Sequence, residues 1–173
     1  MRGRGRKRGS LRVGCGLAAL VCGAVGSVHA GDSNVNVLGA AGMSVRRAVK
    51  GASRRLEEPD CRRVFADFTD AAGRPLEATL EHLRETPVSY LRGRVLFHDG
   101  SSKRRCATGR ILGGTQPGSR IIYVCPVQFL EWDRRDKLVT EAFVIHEVLH
   151  SLGLGENPPS SAEITQRVMK RCR

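Results

Sequence analysis

Phe143-Val144-Ile145-His146-Glu147-Val148-Leu149-His150, residues 143–150, sits inside a longer apolar rhythm. Leu138, Ala142, Ile145, Leu149 and Leu152 recur in steps of four and three, which predicts a helix with one core-facing stripe. Gly153 and Gly155 stop that helix. On it, His146 and His150 stand one turn apart on a single face, so both imidazoles can reach one ion. Two neutral nitrogens suit zinc, which accepts tetrahedral geometry and keeps a position open for water. Zinc lowers the pKa of such a water to about 7. Glu147 projects to the side of the same face, where a carboxylate can hold the water and take its proton. The bland alternative is two histidines packed at a helix edge beside an exposed glutamate. Only five histidines occur in the chain, and two of them fall at this spacing. Metal binding is the expectation.

Beyond the helix, Asn157-Pro158-Pro159 forbids immediate continuation, and Ser160 with Glu163 forms a capping box for a last helix reaching about Cys172. Upstream, Val64, Phe65 and Phe68 suggest a short helix capped by Asp60, and Pro75 opens another that carries Leu76, Leu80 and Leu83. Residues 94–98 read as a strand ended by Asp99-Gly100. Residues 105–112 and 119–125 read as a hairpin around the turn-rich stretch 113–118. The expected fold class is α+β, a small antiparallel sheet packed on the helix that holds the motif, in one compact domain.

This helix resembles that of the zincin metallopeptidases, and the likeness covers roughly residues 141–171. The resemblance implies a zincin-like domain, Zn2+ as cofactor, His146 and His150 as metal ligands, Glu147 as catalytic base, and a peptide or protein as substrate. It also implies that substrate lies along an edge strand above the helix, either near residues 94–98 or on one strand of the hairpin. In the metzincin branch the helix breaks at a glycine three residues after the second histidine, and a ligand follows three residues later. Gly153 and Glu156 stand at those positions, with Glu where that branch usually has His or Asp. The gluzincin branch takes its Glu from a following helix, which makes Glu163 the alternative third ligand. The flank running from Gly153 through Glu156 to Ser161 looks like that of a group of exported bacterial proteins. Metzincins also place a methionine beneath the metal; Met169 is the only downstream methionine, and it falls in a helical pattern.

The N-terminus speaks for export. Residues 2–12 carry six cations and no acid, residues 13–25 are apolar and rich in Gly and Ala, and Ser27-Val28-His29-Ala30 offers small or apolar residues at the positions a signal peptidase reads. Residues 1–30 are therefore expected to be a signal peptide cleaved after Ala30, giving a secreted or periplasmic protein. Residues 31–59, rich in Gly, Ala, Ser and Asn, read as a flexible linker, and residues 60–173 as the folded domain. Apart from the N-terminus, no stretch approaches the roughly 20 apolar residues of a membrane span.

Removing the signal halves the formal charge of +12. The remaining cations are scattered and lack the interleaved aromatics of a base-stacking surface, so a nucleic-acid partner is not expected. In an oxidising compartment Cys61, Cys106, Cys125 and Cys172 suggest two disulfides. The hairpin would set Cys106 opposite Cys125, leaving Cys61 to pair with Cys172. No CxxC spacing points to zinc instead. Of the remaining polar candidates, His98 reads as a strand-end surface histidine, Asp67, Asp70 and Gly73 as a plain turn, and Tyr90 and Tyr123 as packing residues. The competing function is a non-catalytic, zinc-stabilised envelope or binding protein, favoured by the small size of the domain.

Overall fold

A computed structural model describes residues 34–173. The expected signal peptide, its cleavage after Ala30 and the first residues of the expected linker lie outside them. Strand β1 (Val35–Asn36) leads into helix α1 (Gly39–Glu57), followed by α2 (Pro59–Arg62), a 3-10 turn at Arg63–Phe65, α3 (Leu76–Leu83) and α4 (Pro87–Gly93). Then come β2 (Leu96–Asp99), α5 (Arg104–Ala107), β3 (Gly113–Gly114), β4 (Ile121–Val124), α6 (Pro126–Arg135), α7 (Lys137–Ser151) and α8 (Ser161–Arg171).

The linker expectation is corrected by α1. Its composition looks loop-like, yet Val45, Ala48, Val49, Ala52 and Leu56 follow helical spacing and are all buried. Small residues on this face let α1 lie close to α7. A Cβ on Gly51 would clash with the Glu141 carboxylate, which Arg55 neutralises from the next turn. Among the described residues the folded unit therefore includes β1 and α1 and does not start at residue 60.

The sheet is mixed rather than antiparallel. Its order is β1-β2-β4-β3, with β1 and β4 both parallel to β2 and only β3 antiparallel to β4. Parallel pairing needs long crossovers, and the helices between β1 and β2 supply one. The expected hairpin shrinks to Gly113↔Val124 and Gly114↔Tyr123, so that Val124 faces Gly113 where the expected register would put Ala107. Residues 104–107 form a helical turn instead of a strand. Thr115 Oγ1 ties the loop between the strands together by donating to Ser119 O and Ile121 O. Phe97, Ile122 and Val124 bury their side chains, while Leu96 and Ile121 stay partly open on the alternate positions.

Both expected disulfides are present. Cys61–Cys172 ties α2 to the end of α8. Cys106–Cys125 forms as expected, but it joins α5 to the end of β4 and is not a cross-strand pair. Two helix starts also shift by a residue or two: Glu58, not Asp60, caps α2, with Pro59 at its first position, and Pro75 precedes α3 as its cap residue. The Ser160–Glu163 capping box forms as read. Asp70 makes a plain turn, accepting from the Ala72 and Arg74 amides. No described helix is long and apolar enough to cross a membrane.

Candidate metal centre

Helix α7 is capped by Asp136, whose carboxylate accepts the Leu138 N–H at 2.9 Å. It carries His146, Glu147 and His150 into the interior, where each is about 5% exposed or less. Burying three such groups is costly unless each finds a partner. The two Nε2 atoms face one another at 2.9 Å. His150 Nδ1 lies 2.8 Å from the Leu154 carbonyl, which can only accept. Nδ1 therefore donates, and in the neutral ring Nε2 presents a lone pair. His146 Nδ1 lies 3.0 Å from Thr165 Oγ1 on α8, and when it donates there its Nε2 is a lone pair as well.

The turn after α7 does two jobs. Gly153, at φ +111°, takes a conformation that side-chain-bearing residues rarely adopt. The chain then folds back so that the Leu154 carbonyl meets His150 and the Glu156 carboxylate comes within 3.3 Å of His150 Nε2. Among the described residues, His146, His150 and Glu156 form a three-ligand cluster whose donor atoms lie within 4.8 Å of one another. Ligands about 2.0–2.1 Å from a tetrahedral zinc lie roughly 3.3 Å apart. Separations of 2.9 and 3.3 Å are close to that spacing. A proton shared between the rings would also reconcile the two nitrogens, and its charge would face Glu156. A cation satisfies all three, so the donor set fits a metal. Glu163 is not among these ligands; its carboxylate accepts from Ser160 N and Oγ as the cap of α8.

Glu147 lies beside this cluster. Its Oε2 is buried and has no hydrogen-bond partner, so one oxygen is free to accept from a bound molecule. Burial pushes its carboxyl up from 4.5 to about 8, the Thr115 N–H opposes this, the Glu156 charge reinforces it and Arg105 opposes it. Burial and the neighbouring His150 hold His146 down near 4, so its ring is neutral at ordinary pH and available as a ligand.

The other sequence candidates stand elsewhere. His98 packs by Tyr123 and Asn36 on the sheet. Lys103 covers the Tyr123 ring at 4.1 Å. Tyr90 donates to the Ser151 carbonyl, and Met169 packs against the core. Sequence reasoning missed Thr165, the Leu154 carbonyl, the Thr115 amide and Arg105. A metal-ligating histidine needs a partner for its second nitrogen, but only the docking of α8 shows that Thr165 is that partner.

Thr165→Val is expected to weaken metal binding at this cluster about 10- to 100-fold, read by chelator competition, with the fold unchanged because Thr165 is exposed. An unchanged affinity would show that the hydroxyl does not orient His146.

In comparisons with known proteins the chain matches no family model, no curated protein and no solved structure.

Proposed function

We propose that this protein is an exported zinc metallopeptidase of the zincin kind. The observation that carries the reading is the convergence of His146, His150 and Glu156 beside a buried glutamate oxygen with no partner. His146, His150 and Glu156 would hold the ion, and zinc would supply a Lewis acid that acidifies water. Glu147, with the Thr115 amide beside it, would accept the proton of the attacking water and later pass it to the leaving amine. Strand β3 ends the sheet order, so one side of its backbone has no strand partner among the described residues. An extended peptide could add there, next to Glu147.

His146→Ala is the direct test. Purified wild type should take up one zinc per chain and cleave a peptide library, and the variant should lose both. Wild type that stays metal-free in excess zinc would end this reading. Wild type that binds zinc yet cleaves nothing would favour a zinc-stabilised binding protein. Export, on which the secreted or periplasmic location depends, predicts a mature chain that begins at Gly31, as N-terminal sequencing of secreted material would show.

A further inference from the structure

The rung that pairs Gly114 with Tyr123 at the sheet edge carries two cations. A Cβ on Gly114 would lie 3.8 Å from Arg105 Nη1 and meets nothing nearer. The guanidinium thus lies above a strand position that has no side chain. Across the rung, Lys103 Nζ sits 4.1 Å from the Tyr123 ring centroid. Both cations are exposed, and neither is within ion-pairing distance of a carboxylate among the described residues. Arg105 is near enough for its charge to act on Glu147. The Cys106–Cys125 disulfide, one residue away, fixes its short helix to the end of β4.

We propose that the Gly113–Gly114 edge selects extended peptides with an acidic side chain, which pairs with Arg105 while Lys103 adds to the attracting field. The inference rests on the proposed peptide-binding role of this edge and adds a substrate class to it. Several features favour an acidic peptide over other occupants. A strand edge recognises a backbone through amides and carbonyls, so it suits a polypeptide. The bare Gly114 leaves room for the incoming side chain, and the two cations set its sign. Nucleic acid would need open aromatic faces, and Lys103 covers the one at this rung. The chain's own residues 2–12 are cationic and would be repelled.

The test uses zinc-loaded Glu147→Gln, to avoid turnover, and capped peptides alike except for a central Glu, Gln or Lys. Fluorescence anisotropy at low salt should show the Glu peptide binding about five- to tenfold tighter than the Gln peptide. The Lys peptide should bind weakest. Arg105→Gln should erase the preference and Arg105→Glu should reverse it toward Lys, with zinc content and melting temperature unchanged. Equal binding of the three peptides, binding of none, or a preference that survives in both Arg105 variants would overturn the proposal. Wild-type hydrolysis is scored separately. A Glu preference without cleavage would sink the peptidase reading and leave this one standing.

Discussion

Glu147→Gln is expected to lower peptide hydrolysis by about 10²- to 10⁴-fold while zinc content stays that of wild type. Glutamine has nearly the same shape and keeps one carbonyl oxygen. It is not a base. His146, His150 and Glu156 are untouched, so the metal should bind as before. Measured kcat/KM, read beside metal analysis of the same sample, separates loss of the base from loss of the ion. Unchanged hydrolysis would mean that another group moves the proton.

A second readout of this variant needs no activity. In the metal-free protein the Glu147 carboxyl is raised from 4.5 to about 8, chiefly by burial. A raised folded value means that ionisation favours the unfolded chain. The resulting penalty is absent below about pH 4.5 and grows as pH rises toward 8. Glutamine never ionises. Metal-free Glu147→Gln should therefore melt higher than metal-free wild type at pH 8, and the gap should close on acidification.

Removing the Cys61–Cys172 disulfide has the largest expected effect on stability. It spans 111 residues, and the chain-entropy cost released by cutting a loop near that length is about 4.7 kcal/mol. Domains of this kind are commonly stable by only about 5–15 kcal/mol, so a large share is at stake. The end of α8 is also held by Val168 and Met169, which pack in and against the core, by Arg171, which donates two hydrogen bonds to Asp67, and by Arg55, which donates to the Cys172 carbonyl. Cys61→Ala/Cys172→Ala should lose about 3–5 kcal/mol in urea unfolding. It should also bind zinc less tightly, because α8 carries Thr165 to His146. A loss below about 1 kcal/mol would show that α8 docks without the bond. Cys106–Cys125 closes only 19 residues, and about 3 kcal/mol is expected from the same argument.

Local patterns proved readable where one short stretch contains the whole signal. The stripe from Leu138 to Leu152 and the Ser160–Glu163 box needed no distant residue. Both appear as α7 and α8. Helix α1 was misread because Gly, Ala and Ser resemble a linker by composition. Its periodicity was present in Val45, Ala48, Val49, Ala52 and Leu56, but small residues form a core face only when another helix comes close enough to need them. The sheet was misread for a related reason. Residues 105–112 and 119–125 look like consecutive strands of a hairpin, whereas the partner along the whole length of β4 is β2, brought in parallel so that Leu96 pairs with Ile121.

Residue order alone determined the helix that carries His146 and His150 and the distance between them, because helical spacing is a property of consecutive residues. It also made Glu156 a candidate, through the glycine that turns the chain. Only the packed structure decided that Glu156 rather than Glu163 approaches the histidines, that Thr165 and Leu154 hold their rings, and that Thr115 and Arg105 flank Glu147. Those relations link separate elements, and their geometry exists only once α8, β3 and α5 have docked against α7 and the sheet.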